Sequence, residues 1–437
     1  MKKVLIVAYY FPPAGGAGVQ RILKYTKYLQ NFGWQPYILT VSPDSHEVKD
    51  DSFLSEIPEN TVIHHSKIFE PYDLYRALTG NKNKYIDVNS IKKDGRSKSA
   101  KEKLAEFVRA TFFIPDARMF WRFNAIKEGV ELIKKYNIDA IYSSSPPYTC
   151  EIIGRGIKRK TGLPWVAGPR DPWTGYISAP DRPAISEKID KALERSVWKE
   201  ADAVEVAWPG IIEDAIRKYP ELEKKRDKFF HNPNGFDLDD YPDMEASHNE
   251  RFTLTYTGSL FGKASPRAII TAIEKLVKEG KINKENILLR VIGRYGSIEQ
   301  EMLENSLIKD NTELIPYLPH KESIEYLMKS DSLLMLCSGT PYTDLIVPGK
   351  LYEYLGASKP ILSISPESSM VAKILIETNA GLNSDETDID KIAENYLTLY
   401  NDWANNTNSI IANEAQIKKY DRRELAKNLA GILNSLV

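Results

Sequence analysis

Short apolar runs alternate with amphipathic segments of helix length along the first half of the chain. The apolar runs predict β-strands at Lys3–Ala8, Pro36–Val41, Thr61–His64, Ala140–Ser143, Pro164–Ala167 and Ala203–Ala207. The amphipathic segments predict helices near Val19–Phe32, Phe120–Tyr136, Tyr148–Lys160 and Ser186–Lys199. Strands that alternate with helices are typical of an α/β fold with a parallel sheet.

The segment 70–114 interrupts this alternation and contains a polar stretch from Asn81 to Lys103. It is much longer than most connections between neighbouring elements, which have about 4–6 residues. We therefore predict that it is an excursion or lid of the first domain.

A second α/β series begins at Arg251, with strands predicted at Phe252–Tyr256, Ile287–Ile292, Glu313–Pro316, Ser332–Leu336 and Ile361–Ser365. The turn-forming and acidic residues between Asn232 and Glu250 follow no helical or strand period, so we place the domain boundary there. The predicted domains are 1–232 and 233–415. The last helical run, Glu414–Leu436, predicts a C-terminal helix within 416–437 that packs back towards the first domain.

Composition limits the classes of protein that the chain can belong to. Its 437 residues suit two domains of roughly 200 residues each. Lysine and arginine (59) nearly balance aspartate and glutamate (60), so no overall charge favours nucleic acid or bulk anionic membrane. Two cysteines, Cys150 and Cys337, argue against a disulfide framework and indicate a reducing cytoplasm. No apolar run approaches the roughly 18 residues of a transmembrane helix, so membrane contact is expected to be peripheral.

The segment 347–362 predicts a helix that begins at a phosphate, followed by a buried strand. Proline suits a first helical turn, glycine lets a ligand approach the backbone, and lysine adds positive charge. Glu353, one turn later, either binds a ribose diol or complements the helix dipole. The candidate nucleotide-binding residues of this segment are Pro348, Gly349, Lys350, Leu351 and Glu353.

A glycine-rich loop, Phe11–Arg21, follows the first predicted strand and leads into a helix. Gly15, Gly16 and Gly18 permit positive φ and let backbone N–H groups face a ligand. The loop lacks the G-x-G-x-x-G spacing, and no acidic residue ends the second strand at Thr40–Val41, which disfavours a nicotinamide cofactor. A tight turn without a ligand is the alternative.

Gly258 ends the first strand of the second series and is followed by Lys263 and Arg267. On a helix, their i, i+4 spacing would place both cations on one face, where they could converge on a diphosphate. Gly293 follows a later strand, at the crest where α/β proteins bind ligands. The alternative for the two cations is a solvated basic face.

Arg170 and Asp171 also follow a predicted strand and are expected to project into a cleft between the domains. There they either orient a sugar hydroxyl or an acceptor, or form an ion pair that fixes a proline-rich loop. The six histidines form no metal-binding array, and no G-x-S-x-G elbow occurs. The sequence therefore predicts neither a protein-built metal site nor a hydrolase.

In their order and spacing, these motifs resemble the glycosyltransferases of the GT-B fold, and among them family 4, the retaining nucleotide-sugar transferases. The resemblance spans nearly the whole chain and rests on the Pro-Pro-x-Gly-Gly loop, Asn234–Asp237, Tyr256–Ser259 and Pro348–Gly356. It implies two Rossmann-like domains facing a central cleft, with the acceptor held by the first domain and the donor nucleotide mainly by the second.

The resemblance also implies roles for single residues. Lys263 and Arg267 match basic residues that hold the donor diphosphate, and Glu353 matches the second glutamate of an E-x7-E motif, which binds the donor ribose. Residues around Tyr317 resemble the loop that flanks the base, and Gly15–Gly16 the loop near the phosphates and sugar.

The sequence departs from the family pattern at two places. Leu345 stands where the first glutamate of the motif is expected, so either Asp344 or backbone groups near Pro348 replace it, or the donor sugar is recognised differently. The Arg-Asp-Pro-Trp loop resembles one branch of the family and leaves Arg170 and Asp171 open as catalytic, acceptor-binding or structural residues.

The implied activity is metal-independent, retaining transfer of a hexose or N-acetylhexosamine from a nucleotide diphosphate sugar to a saccharide or lipid-linked acceptor. Surface polysaccharide or glycoconjugate biosynthesis is the implied setting. No cofactor beyond the nucleotide sugar and no nucleic acid partner is expected, and Lys263 joins Arg170 and Asp171 as a catalytic candidate. A sugar-nucleotide epimerase of the same fold and a non-catalytic nucleotide- or glycan-binding module are the alternatives.

A separate hypothesis concerns residues 90–121, where lysines and arginines precede four aromatic side chains, Phe112, Phe113, Phe120 and Trp121. This segment either lies on anionic lipid at the inner face of the cell membrane or is a solvated helix whose aromatics enter the core.

Overall fold

The computed structural model describes residues 1–46, 48–68, 100–175, 179–244, 248–260, 264–337 and 347–437. The chain divides into two compact units. The first unit comprises Met1–Pro233 and Ala426–Val437, and the second comprises Asn234–Leu425.

The described part of the first unit contains a seven-stranded parallel sheet with the order β3-β2-β1-β4-β5-β6-β7. The strands are β1 Lys2–Ala8, β2 Trp34–Val41, β3 Val62–Ser66, β4 Ala140–Ser145, β5 Trp165–Pro169, β6 Ala203–Val206 and β7 Phe229–His231. The helices are α1 Ala17–Tyr28, α2 Ala100–Phe112, α3 Trp121–Tyr136, α4 Thr149–Thr161, α5 Ala184–Glu200 and α6 Gly210–Lys218.

The second unit has a six-stranded parallel sheet with the order β10-β9-β8-β11-β12-β13. The strands are β8 Phe252–Thr257, β9 Ile287–Ile292, β10 Thr312–Ile315, β11 Ser332–Leu336, β12 Ile361–Ile364 and β13 Gly381–Ser384. The helices are α7 Arg267–Lys278, α8 Ser297–Glu304, α9 His320–Met328, α10 Gly349–Gly356, α11 Met370–Thr378, α12 Ile389–Asn405 and α13 Glu414–Ile417.

Both sheets reverse their order at one point, between β1 and β4 in the first unit and between β8 and β11 in the second. Doubly wound sheets bind ligands at this switch point, outside the carboxyl ends of the strands. The prediction of an α/β protein with two Rossmann-like parallel sheets is confirmed.

Helices cover both faces of the second sheet. One buried cluster includes Ile269 and Ile273 of α7 and Leu399 of α12, and the other includes Leu351 and Leu355 of α10. Burial of residues 351 and 355, one turn apart, fixes the rotation of α10 about its axis. Gly349, at the start of that helix, remains exposed.

The C-terminal helical run differs from the prediction of one continuous helix, Glu414–Leu436. After α13, a 3₁₀ turn at Lys418–Tyr420 leads to the helix α14, Arg422–Asn434. The break lies at Asp421, whose side chain accepts a hydrogen bond of 2.8 Å from the Arg423 N–H. An aspartate in this position caps a new helix, which is why the run is divided.

Most of the predicted excursion, residues 69–99, lies outside the described part of the chain, as do Lys92, Lys93, Arg96 and Lys98 of the proposed membrane segment. Of its aromatic side chains, Phe112 is 64% exposed and Trp121 is fully buried. Membrane contact through 90–121 stays a prediction. In the described part of the chain, every helix is too short or too polar to cross a membrane.

Candidate donor and acceptor sites

Gly258 follows β8, at the switch point of the second unit, and Gly293 follows the neighbouring strand β9, with φ of +116° and +134°. A Cβ atom on Gly293 would lie 2.3 Å from the carbonyl oxygen of Gly258. Backbone hydrogen bonds join the two loops, from the Gly258 N–H to Ile292 O (2.8 Å) and from the Leu260 N–H to Arg294 O (2.7 Å). Glycine is therefore required here by the close approach of the two loops, whether or not a ligand binds.

The helix α10 begins at Gly349, and Pro348 is its N-cap, with φ −60° and ψ 135°. Among the described residues, which leave out 338–346 just before this helix, no side chain caps this end, and the first turn contains no acidic residue. A Cβ atom on Gly349 would meet no atom of the described residues within 4 Å. In the described part of the chain, the first N–H groups and the positive end of the helix dipole are therefore without a protein partner. Leu351, in contrast, is buried, and its N–H donates to Pro348 O at 3.0 Å.

The side chain of Lys350 is directed towards β8. Its Nζ donates to the Tyr256 hydroxyl at 2.7 Å and lies 3.9 Å from the centre of that ring. A Cβ atom on Gly258 would be only 2.8 Å from this ammonium group. Burial lowers the pKa of Lys350 to about 8, with the nearby Glu353 carboxylate acting in the opposite direction. The structure thus brings Lys350 to the Gly258 loop.

Glu353 lies one turn after the start of α10, and one carboxylate oxygen, Oε1, is 3.1 Å from Nε2 of His320. Both side chains are partly buried, with 24% of Glu353 and 15% of His320 exposed. The backbone oxygen of Glu353 accepts a hydrogen bond of 2.8 Å from the Tyr241 hydroxyl. The sequence pattern gives no indication of His320, because its contact with Glu353 spans 33 positions.

Two further donor-site candidates, Tyr317 and Arg267, are exposed on the second unit. Tyr317, in the loop after β10, is 60% exposed, and the guanidinium of Arg294 lies 5.9 Å from its ring centre. Arg267 is exposed and is the first residue of α7. The helix α7 starts at Arg267, and the described residues before it, 264–266, are not helical. The predicted pairing of Arg267 with Lys263 involves a residue outside the described part of the chain and stays a prediction. Lys263 itself, Asp344 and Leu345 lie outside the described residues.

In the first unit, Gly15 and Gly16 follow β1, as predicted from the sequence. Gly15 donates its N–H to Val48 O at 2.8 Å. Gly16 is the N-cap of α1, is exposed, and has φ +94° with no atom within 4 Å of a Cβ position. Gly16 therefore has the conformation and the free space that a ligand-binding turn needs.

Arg21, near the start of α1, is buried and does not face this loop. Its guanidinium lies 3.0 Å from Glu205 and donates to the backbone oxygens of Asn232 and Pro233 at 2.8 and 2.9 Å. Glu205 also accepts hydrogen bonds from Tyr25 and Asn232. This buried network anchors the last residues before the second unit.

Arg170 and Asp171 follow β5 and have different surroundings. The Arg170 guanidinium donates to three main-chain oxygens. The Asp171 carboxylate accepts no hydrogen bond from the described residues, and burial raises its pKa despite the neighbouring arginine. Tyr148 and Trp173 stack beside this loop with ring centres 4.7 Å apart, and Tyr148 donates to the backbone oxygen of Asp171 at 3.3 Å.

His46, five residues after the end of β2, is another buried polar residue of the first unit that the sequence pattern does not indicate. It is buried beside Tyr9 and Tyr10, with ring centres 5.5 and 6.4 Å away. Burial, followed by the charge of Arg118, lowers the pKa of His46 to about 4, so its ring is neutral near pH 7. Only its position after a strand distinguishes it in the sequence.

Two doubly wound parallel sheets, with glycines after the central strands and an exposed helix start, form the arrangement in which α/β proteins bind nucleotides. Residues 239–418, nearly all of the second unit, match the family model of the glycosyl transferases group 1. Together with the fold, this match supports a glycosyltransferase, and the chain has the GT-B fold, as the resemblance of its motifs predicts.

Solved structures share this fold at low sequence identity. A glycosyltransferase from Rickettsia africae ESF-5 has a TM-score of 0.61 at 11% identity, over 100% of this chain and 98% of that chain. The lipopolysaccharide outer core galactosyltransferase WaaB has a TM-score of 0.57 at 11% identity, over 100% of both chains. A TarM mutant of S. aureus, in complex with fondaparinux, alpha-GlcNAc-glycerol and UDP, has a TM-score of 0.57 at 10% identity, over 99% of this chain and 100% of that chain. No curated protein matches the chain.

Proposed function

We propose that the chain transfers a hexose or N-acetylhexosamine from a nucleotide diphosphate sugar to a saccharide or lipid-linked acceptor, with retention at the anomeric carbon. The observation that carries the donor half of this proposal is the open start of α10 at Gly349. A diphosphate fits there because unshared N–H groups and the helix dipole both favour negative charge. The structure of TarM, which has the same fold, contains UDP.

Departure of the nucleotide builds negative charge on its β-phosphate. In our proposal the N–H groups at the start of α10, Arg267 and Lys263 stabilise that charge in place of a divalent ion. Turnover is then expected to survive added EDTA. Loss of turnover with EDTA and its recovery with manganese would contradict this step.

Glu353 completes the proposed donor site as the ligand of the ribose. Its second carboxylate oxygen, Oε2, accepts no hydrogen bond from the described residues, and the side chain is partly exposed. A carboxylate with free lone pairs suits the two hydroxyls of a ribose.

Calorimetric titration with UDP, GDP and ADP tests the donor site directly. Gly349→Ala adds one methyl group where no atom of the described residues lies within 4 Å, so the fold is expected to persist. The same methyl group would meet a bound phosphate, and we expect the affinity to fall about tenfold or more, or roughly 1.4 kcal/mol. Gly431→Ala, which also meets no atom within 4 Å, is the matched control and should bind as the wild type does.

Binding of none of the three nucleotides, or equal affinity of the Gly349→Ala variant, would overturn the donor site. Incubation with a panel of donor sugars then distinguishes the activities. Sugar transferred to an acceptor supports the proposal, whereas epimerised donor or binding without turnover supports one of the two alternatives.

A further inference from the structure

The loop after β10 and the start of α9 carry two side chains of interest within one short segment. Tyr317 is exposed, and His320, three residues later, is the first residue of α9. His320 Nε2 lies 3.1 Å from Glu353 Oε1. One segment therefore connects the residue expected at the nucleotide base with the residue expected at the ribose.

The direction of the His320–Glu353 hydrogen bond follows from the chemistry of the two groups. An ionised carboxylate can only accept, so the imidazole must donate its Nε2–H to Oε1. A hydrogen bond to a charged acceptor is stronger than one between neutral groups, and both side chains are largely shielded from water. The bond therefore restricts the rotation of the carboxylate.

The rest of Glu353 is fixed by other contacts. Its backbone oxygen accepts hydrogen bonds from the Tyr241 hydroxyl (2.8 Å) and the Ala357 N–H (3.0 Å), and its neighbours Tyr352 and Tyr354 are buried. The Glu353 side chain can still rotate about its own bonds. A histidine bond to Oε1 removes that freedom while Oε2 stays available, which is the arrangement of a pre-organised ligand-binding group.

We propose that His320 is a positioning residue that holds the Glu353 carboxylate ready for the ribose hydroxyls and thereby sets the preference for ribonucleotides. This inference rests on the proposed function, in which Glu353 binds the donor ribose. His320 itself touches no part of the nucleotide in this proposal and acts through Glu353.

The test compares the affinities of the nucleoside diphosphate that the wild type binds best and of its 2′,3′-dideoxy analogue. His320→Ala should lower the affinity for the ribonucleotide about five- to tenfold, as expected for the loss of one hydrogen bond of ordinary net strength. The affinity for the dideoxy analogue should not change, because it has no hydroxyls for Glu353 to accept from. The ratio of the two affinities therefore falls.

Three further variants make the result specific. His320→Gln places an amide N–H near the position of Nε2 and should keep the affinity ratio close to that of the wild type. In a Glu353→Ala background, His320→Ala should cause no additional loss. Lys321→Ala, the exposed neighbour on the same helix, is the control and should leave both affinities unchanged.

Equal loss of affinity for both nucleotides in His320→Ala would overturn the inference, because it would show a general structural role. Additive losses in the double variant would overturn it as well. A wild-type protein that binds no nucleotide overturns the proposed function itself, and that result is obtained before any variant is made.

Discussion

The guanidinium of Arg170 donates hydrogen bonds to the main-chain oxygens of Gly18 (2.8 Å), Ser145 (3.2 Å) and Pro146 (2.8 Å). It thereby joins the start of α1 to the loop that follows β4. A planar group with several fixed N–H directions can serve three carbonyls at once, whereas an ammonium on a flexible stem cannot hold the same geometry. These contacts favour a loop-fixing role for Arg170 and leave Asp171 as the member of the pair with an unshared carboxylate.

Arg170→Lys is accordingly expected to destabilise the fold by about 1–3 kcal/mol, since partly buried carbonyl groups lose their donors. The free energy of unfolding in urea measures this loss. Arg159→Lys is the control, because Arg159 is 57% exposed in an ion pair with Glu200 and a surface change of this kind has little effect. Unchanged stability of Arg170→Lys together with lost transfer would instead indicate a direct role in the reaction.

Glu151 makes the stability of the first unit depend on pH. It is fully buried, and it accepts hydrogen bonds from the hydroxyls of Ser143 and Ser145. Burial, which outweighs these bonds, raises its pKa from 4.5 to about 7. Because the folded protein binds this proton more tightly than the unfolded chain, the contribution is complete below pH 4.5 and is lost as the pH rises through about 7.

The amide of Glu151→Gln resembles the protonated acid but does not titrate. The variant should therefore lose the pH dependence of stability that comes from Glu151. We expect the free energy of unfolding of the variant to fall less than that of the wild type across the same pH interval, as followed by urea denaturation. Glu131→Gln, an exposed carboxylate, should retain the wild-type pH dependence. Parallel pH curves for the wild type and Glu151→Gln would show that Glu151 is ionised in the folded protein.

At the scale of elements, the central strands and the edge strands β3 and β10 follow from the sequence, but the edge strands β7 and β13 do not. The strands β1, β2 and β8 are apolar runs buried between layers of helices, and this pattern is local. The strand β13 has the sequence Gly-Leu-Asn-Ser and β7 has three residues, and both lie at sheet edges, where burial is incomplete. Too few positions carry the pattern for such strands to be recognised.

The candidate site also has a part that can be predicted from the sequence and a part that cannot. The motif from Pro348 to Glu353 is continuous in sequence, so its helix and its exposed start can be predicted from local rules. The partners of its side chains come from other strands and helices, as in the bonds from Lys350 to Tyr256 and from His320 to Glu353. Such partners depend on the packing of the unit and have no local signal.

The paired loops after β8 and β9 give an element-scale prediction. Gly293→Ala introduces a Cβ atom 2.3 Å from Gly258 O at a residue with φ +134°, which no alanine adopts without strain. Because the backbone must move to relieve this contact, we expect the free energy of unfolding, measured by thermal denaturation, to fall by about 1–3 kcal/mol or more. Gly431→Ala, within α14 and with free space, should instead stabilise the protein by roughly 0.5–1 kcal/mol. Equal melting temperatures for the two variants would contradict the loop contact.

On the scale of the whole molecule, the first unit consists of two separate stretches of chain, 1–233 and 426–437. The second stretch comprises most of α14 together with residues 435–437. The Asn434 side chain accepts hydrogen bonds from Trp34 at 3.2 Å and Lys2 at 3.4 Å, and Leu433 beside it is fully buried. The last helix is therefore part of the support of β1 and β2.

Leu433→Ala is expected to lower the free energy of unfolding of the first unit by about 2–5 kcal/mol, the usual effect of truncating a buried leucine. Hydrogen exchange measured by mass spectrometry should show faster exchange in β1 and β2, with little change in β8 and β9. Ile411→Ala, at a side chain that is 74% exposed, should leave both pairs of strands unchanged. Equal acceleration in all four strands would contradict the assignment of this helix to the first unit.

The divided first unit also sets an order of completion during synthesis. The ribosome releases the whole of the second unit, one continuous stretch, before it releases residues 426–437. The strands β1 and β2 are synthesised before the whole of the second unit, yet their contacts with Leu433 and Asn434 form only after that unit has been synthesised. The first unit is thus the later of the two to complete its structure, the reverse of the N-terminal-first order usual in chains of several domains.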